Sequence, residues 1–310
     1  MDHVNVIIVG AGLSGVGAAA HLVEQCPEKT FTLLEGRAAV GGTWDLFRYP
    51  GIRSDSDMHT LGYSFKPWTQ AKSIADGPSI RDYVNETADE FDIRRHIRFD
   101  HKVQTASWDS TQSHWVLTSN LSDGSTTKIS GDFLFMCGGY YSYDDPHRPE
   151  FPGESRYQGQ VLHPQFWPED LDYEGKKVIV IGSGATAMTI VPSMTQKGAQ
   201  VTMVQRSPTY VVSRPAEDKI ANTLRKWLPE KWAYAITRLK NTTLSGYFYR
   251  QTRSQPAKTK AQLLGMATAN LGEEMVKAHF TPSYNPWDQR MCLIPDGDLY
   301  QSINEGSAQV

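Results

Sequence analysis

Two short apolar runs in this chain each end in a glycine-rich turn of the same form, and that duplication restricts the fold more than anything else in the sequence. The first run, residues 4–9, leads into Gly10-Ala11-Gly12-Leu13-Ser14-Gly15, and the second, residues 177–181, into Gly182-Ser183-Gly184-Ala185-Thr186-Ala187. In a GxGxxG turn the first glycine allows the tight bend, the second lets backbone approach a pyrophosphate, and the third lets helix pack on strand, with alanine tolerated there. Small residues follow the first turn at Gly15, Gly17 and 18–20, and a second apolar run, 31–34, ends at Glu35; 201–204 is its counterpart in the second half. Strand, turn, helix, strand is the opening of a doubly wound parallel sheet. The chain is therefore expected to be α/β, with two Rossmann-like dinucleotide-binding domains, one over 1–145 and one over 146–310. The boundary is set after a buried strand at 133–136, in a turn-rich connector through Pro146, Pro149 and Pro152. Residues 213–285 break the rhythm and predict a helical insertion in the second domain.

The two second strands end in opposite chemistry. Glu35 stands about 20 residues beyond the first turn, where a carboxylate accepts hydrogen bonds from ribose hydroxyls. The second strand is followed by Gln205, Arg206 and Ser207, with no acid to repel a 2′-phosphate and a guanidinium able to grip it. One acidic and one basic site imply two different dinucleotides, and FAD with NADPH is the natural pair. The net charge of -3 and pI near 6.3 give no reason to bind nucleic acid, so small molecules are the expected partners. Between 213 and 260 the charge is local, 11 Lys/Arg against 3 Asp/Glu, interleaved with aromatic residues. A solvated face over an internal core is the expectation there; a peripheral membrane contact would use the same composition. The N-terminus lacks the pattern of a signal peptide and no apolar run has membrane-spanning length, so a cytoplasmic location is expected. Cys26, Cys137 and Cys292 are far apart and form neither a metal-ligand pattern nor the redox pair that a flavin disulfide reductase needs.

Further stretches carry a resemblance. They are Gly41-Gly42-Thr43-Trp44-Asp45, Arg48-Tyr49-Pro50-Gly51-Ile52-Arg53-Ser54-Asp55, residues 157–168, and residues 284–290 ending at Arg290. The third resembles the Baeyer-Villiger signature FxGxxxHxxxW(P/D), with Tyr157 for the leading phenylalanine and His163 and Trp167 in place. From residue 4 onward the chain resembles the class B flavoprotein monooxygenases of the Baeyer-Villiger type, and among them the mycobacterial ethionamide-activating branch. The resemblance implies that Gly10, Gly12, Ser14, Gly15, Glu35, Gly42, Thr43, Trp44, Asp45, Asp55 and Val103 contact FAD. It implies that Gly182, Ser183, Gly184, Ala185, Thr186, Ala187, Met188, Thr189, Arg206 and Ser207 contact NADPH, and that no metal is used. Many relatives have cysteine where this chain has Ser54, and some have lysine where it has Gln289, which leaves Arg206 as the main charge for the 2′-phosphate.

The implied reaction is insertion of one atom of O₂ into a ketone to give an ester or lactone, through a peroxide on the flavin, with oxidation of thioethers beside it. Arg290 would oppose negative charge on the reacting oxygen and Asp55 would orient it. His163, in a Pro- and Trp-rich connector, is expected to hold backbone at a hinge through its ring N–H groups. An N- or S-oxygenating flavin monooxygenase and a catalytically silent nucleotide-binding module are the alternatives. The family's chain returns to complete its FAD domain, and here that C-terminal completion is expected to be absent.

Overall fold

Each glycine-rich turn joins a strand to a helix, as the sequence pattern predicts. The structure is a computed structural model that describes residues 1–289 and 291–310. In chain order the elements are β1 (Asp2–Val9), α1 (Leu13–Gln25), β2 (Phe31–Leu34), the single-turn α2 (Thr43–Leu46) and α3 (Met58–Leu61), α4 (Gly77–Glu90), β3 (Ile97–Arg98), β4 (Lys102–Asp109), β5 (His114–Asn120) and β6 (Thr126–Met136). There follow β7 (Lys177–Ile181), α5 (Ala185–Thr195), β8 (Gln200–Val204), β9 (Tyr210–Arg214), α6 (Lys219–Trp227), α7 (Glu230–Ser254), α8 (Pro256–Leu271), α9 (Glu273–His279), β10 (Met291–Pro295), α10 (Asp298–Asn304) and β11 (Ala308–Gln309). They form two units, Met1–Arg48 with Gly77–Trp167, and Tyr49–Asp76 with Pro168–Val310.

The first unit is built on a six-stranded sheet in the order β3-β2-β1-β6-β5-β4. β1 pairs in parallel with β2 (Val6 with Phe31) and with β6 (Val6 with Phe133), and β4, β5 and β6 are antiparallel. Ile7, Leu34, Leu117 and Ile129 form a buried cluster across these strands, with Val103 and Leu134 packed against it. α1 buries Gly15, Val16, Gly17, Ala19 and Ala20, small residues that let it lie close to the sheet. α4 buries Ile80, Tyr83, Val84, Thr87 and Ala88, the i, i+3, i+4 stripe of an amphipathic helix.

One expectation is corrected here. Residues 133–136 are a strand end but not a buried one, since Phe133 is 58% exposed and Phe135 and Met136 are exposed as well. Alternate side chains of a strand face opposite ways. Leu134 packs against the core, and its neighbours Phe133 and Phe135 point to the other, partly exposed face.

In the second unit β11, β8 and β7 form a parallel sheet, Lys177 opposite Gln200 and Val201 opposite Ala308, while β9 and β10 pair in parallel beside it. α6 to α9 lie within the stretch read as a helical insertion. Residues 49–76 belong to this unit through specific bonds. Ser73 and Ile74 donate their N–H groups to Ala216 O, Arg238 donates to the carbonyls of His59 and Thr60, and Asn241 Nδ2 donates to Asp57 Oδ1 at 2.9 Å.

Candidate dinucleotide-binding sites

The first turn is close-packed backbone. Gly10 has φ +102°, and a Cβ there would lie 2.6 Å from Cys137 O. A Cβ on Gly15 would lie 1.9 Å from Gly10 O, and one on Gly42, itself at φ +57°, 3.0 Å from Gly12 Cα. The Gly41-Gly42 loop thus rests on the fingerprint, tied by Gly41 N–H to Ala11 O at 3.0 Å. Gly12 begins α1 without a side-chain cap and no acidic residue sits in its first turn, a helix start that suits an anion. Ser14 is exposed in that same turn.

Glu35 is only 5% exposed. Its Oε2 accepts the Ala11 N–H at 2.7 Å and its Oε1 the Arg37 N–H at 2.9 Å, so the carboxylate clamps the glycine turn while each oxygen keeps a second acceptor direction. Asp45, in the short α2 with Thr43 and Trp44, is buried between Arg37 Nη2 at 2.7 Å and Arg48 Nη2 at 3.0 Å. The Arg37 guanidinium also lies 5.7 Å from the centre of the Tyr143 ring, whose hydroxyl is pushed above its ordinary pKa by burial and by the Glu35 charge. Val103 follows Lys102, whose Cα would meet a Cβ on Gly36 at 3.7 Å, so it stands beside the Glu35 end of the site, half-buried against the core. The structure therefore gathers Gly10, Gly12, Ser14, Gly15, Glu35, Gly42, Thr43, Trp44, Asp45 and Val103 around one turn. Arg37, Arg48 and Tyr143 were missed, and the only hint in the sequence was basic residues flanking the acids.

The second turn is looser. Gly182 has φ +140°, and a Cβ there would first meet Ala187 Cβ at 3.9 Å. Gly184 begins α5, again with no side-chain cap and no acid in the first turn. Ser183 Oγ donates to Ser207 O at 3.1 Å, which joins this turn to the end of β8. Ala185 and Thr186 are half-buried, whereas Ala187, Met188 and Thr189 face the interior of the unit. Arg206 and Ser207 are exposed, and Arg206 has no ion-pair partner among the described residues. Its charge is free to meet a phosphate.

Asp55 is exposed in a turn closed by Ser54, whose Oγ accepts the Ser56 N–H at 3.0 Å and donates to Ser56 O at 2.9 Å. The residues before it are anchored on α5 and α10. A Cβ on Gly51, at φ +73°, would lie 1.7 Å from Ser193 Oγ; Tyr49 bonds to Thr186; Arg53 Nη1 donates to Asp298 Oδ2 at 2.5 Å. Arg290 lies outside the described residues, and so does its expected pairing with Asp55. Its upstream flank is held firmly. Tyr284 O accepts from the Tyr210 hydroxyl at 2.5 Å, its own hydroxyl donates to Thr209 Oγ1 at 3.0 Å, and Asp288 pairs with Arg253 at 2.6 Å. Burial, with Tyr284 beside it, pushes the Tyr210 pKa up to about 12. His163 caps the turn Pro164–Phe166, but as an acceptor: its Nδ1 takes the Gln165 N–H at 3.2 Å, while Gln165 Nε2 donates to the carbonyls of Ser142 and Tyr143. The ring nitrogen accepts where a donor was expected.

Comparison with known proteins gives the family. The profile of the FMO-like family, described as flavin-binding monooxygenase-like, matches residues 3–254. The chain is 52% identical over 311 residues to the FAD-containing monooxygenase EthA of Mycolicibacterium smegmatis, covering all of this chain and 63% of that protein. It is 48% identical to the putative FAD-containing monooxygenase MymA of Mycobacterium tuberculosis, with the same coverage. Among solved structures it superposes on an oxidized steroid monooxygenase bound to NADP with a TM-score of 0.80 at 26% identity, over 99% of this chain and 65% of that one. The chain spans a little under two thirds of these relatives' length.

Proposed function

Because this chain belongs to the flavin-binding monooxygenase-like family, we propose that it carries the FAD and NADPH sites of a monooxygenase that inserts one atom of O₂ into a ketone to give an ester or lactone, and that also oxidises thioethers. The observation that carries the reading is the contrast between the two glycine turns, a buried carboxylate at one and, at the other, an exposed arginine with no ion-pair partner among the described residues. Names of relatives that contain FAD, and a superposable structure holding NADP, support the cofactor pair.

The residues present fit those groups. At the first turn a side chain at Gly10 or Gly42 would run into backbone, so the turn stays tight, and α1 starts there with no side-chain cap and no acid in its first turn, which suits a pyrophosphate. Glu35 uses its remaining acceptor directions for ribose hydroxyls, and Asp45, fixed by Arg37 and Arg48, holds the α2 loop against the same turn. At the second turn Arg206 meets the 2′-phosphate, with Ser207 beside it. Bound FAD supplies the redox chemistry, accepting a hydride from NADPH and passing electrons to O₂. The protein's part is to place, shield and stabilise. Arg290 keeps its proton at any working pH and opposes the negative charge that develops on oxygen as the substrate carbonyl is attacked; Asp55 positions that guanidinium.

The test is mass spectrometry of products formed by the full-length protein from a panel of ketones and thioethers with NADPH and O₂. Ester from ketone supports the reading. Sulfoxide or N-oxide alone moves the assignment to the N- and S-oxygenating enzymes, and no NADPH oxidation at all leaves a nucleotide-binding module without catalysis.

A further inference from the structure

The helical stretch between β9 and β10 turns a set of large apolar side chains away from the unit that carries it. In α7, Trp232, Ile236, Leu239, Thr243 and Tyr247 recur at steps of four, three, four and four, which places them on one side of the helix. Trp232 is 64% and Leu239 68% exposed. On α6, Ile220 and Trp227 are two turns apart on one side, and Trp227 is 82% exposed. The orientation is enforced from the opposite side. α7 buries Ala233 and Thr237, bonds the carbonyls of α3 through Arg238, and pairs Lys240 with Asp218, which caps α6. The aromatic face cannot roll inward without breaking those bonds.

The charge around that face is mostly positive. Lys219, Lys226, Lys231 and Arg250 are exposed and form no ion pair among the described residues. Between 213 and 260 the only carboxylates are Glu217, Asp218 and Glu230, and Asp218 is taken by Lys240. Tryptophans beside unpaired lysines are what the headgroup layer of a membrane accepts, since the indole rings sit at the boundary and the cations meet lipid phosphates. A solvated face over an internal core would have turned these rings inward. No helix among the described residues is long and apolar enough to cross a membrane, so the contact is one of lying on the surface.

We propose that the outward face of α6 and α7 is a docking surface for an anionic lipid membrane, with Trp227 and Trp232 entering the interface and Lys219, Lys226, Lys231 and Arg250 against the phosphates. This goes beyond the oxygenation reading and does not depend on it. The test uses the full-length, flavin-bound protein, sedimented with vesicles of pure phosphatidylcholine or with about 30 mol% phosphatidylglycerol added. It pellets with the anionic vesicles only, is released by about 0.5 M NaCl, and its tryptophan emission shifts to the blue on binding. Trp227→Ser with Trp232→Ser, and separately Lys219→Gln with Lys226→Gln and Lys231→Gln, each weaken partitioning by about 10- to 100-fold while flavin content and NADPH oxidation stay unchanged. Equal binding to both vesicle types, or none, overturns the proposal. So does protection of these tryptophans from iodide before lipid is added, which would mean that another part of the protein covers them. A change of oligomeric state in the tryptophan variant would assign the face to a second copy of the chain and overturn it as well.

Discussion

Replacing Glu35 with glutamine separates its two roles. In the native structure the buried carboxylate accepts the Ala11 and Arg37 N–H groups at 2.7 and 2.9 Å. Glu35→Gln keeps the shape, but one of the two acceptors becomes an NH₂ that cannot accept, so one backbone N–H is left without a partner at a site only 5% exposed. A buried donor stranded in this way costs about 1–3 kcal/mol, and the surviving bond loses its charge assistance, so roughly 2 kcal/mol is expected in all. For a domain of this size that lowers the flavin-free Tm by about 8 °C, at about 4 °C per kcal/mol. The flavin should suffer separately. Losing a charged acceptor for ribose hydroxyls is worth about 1.5–3 kcal/mol, or roughly 10- to 150-fold in Kd. Calorimetry of the flavin-free protein reads the first effect and a flavin fluorescence titration the second. An unchanged Tm would mean that the two backbone bonds do not hold the turn. A lowered Tm with unchanged flavin affinity would leave Glu35 a scaffold residue and refute the ribose assignment.

Arg206→Ala should weaken NADPH by about 10- to 150-fold and leave NADH unmoved; equal affinity of the unmodified protein for both cofactors refutes the assignment. Arg290→Ala should keep flavin bound and reducible by NADPH while product formation falls by about 10²- to 10³-fold, and ester made at near the original rate would remove Arg290 from the role. His59 is buried beneath α7, its Nε2 has no hydrogen-bond partner among the described residues, and burial, against the opposing pull of Asp57, holds its pKa below the usual value. The unfolded chain therefore binds the extra proton first. Stability should be complete above about pH 6.5 and fall below it, by at most about 1.4 kcal/mol per pH unit, until the native group protonates. Urea midpoints at pH 7.5 and 5.5 should differ less in His59→Gln than in the native protein, and equal differences would refute this.

The parts of the fold that were legible in the sequence are those where a local rule leaves no choice. Gly10 must be glycine because its φ is positive and Cys137 O blocks a side chain, and that requirement is visible as a motif. Glu35 was legible from spacing, yet its two backbone bonds were not, because they depend on where the glycine turn comes to lie. The grip on Asp45 was hidden for a similar reason: Arg37 and Arg48 reach it from eight residues before and three after, on opposite sides of a loop whose path no periodicity encodes. Residues 49–76 follow directly on the first unit in sequence but are bound to the second through Ala216, Arg238 and Asn241, and pairings at such separations leave no local trace.

Apolar runs and aromatic clusters misled for a further reason, which is that composition says how much surface is hydrophobic and not which way it turns. Phe133, Leu134 and Phe135 read as one buried strand, although only Leu134 reaches the core cluster. In α7 the inversion is partial, since Phe248 still packs against the cluster of Tyr210, Val212 and Leu263. A ranking by hydrophobicity puts Trp232, Ile236 and Leu239 inside, but the helix buries Ala233 and Thr237 instead. Small residues on that side let the α7 backbone come close enough for Arg238 and Asn241 to reach α3, and close approach with satisfied carbonyls decides the rotation of the helix. Once that rotation is set, Trp232, Ile236 and Leu239 turn outward, where water alone gives them no stabilisation.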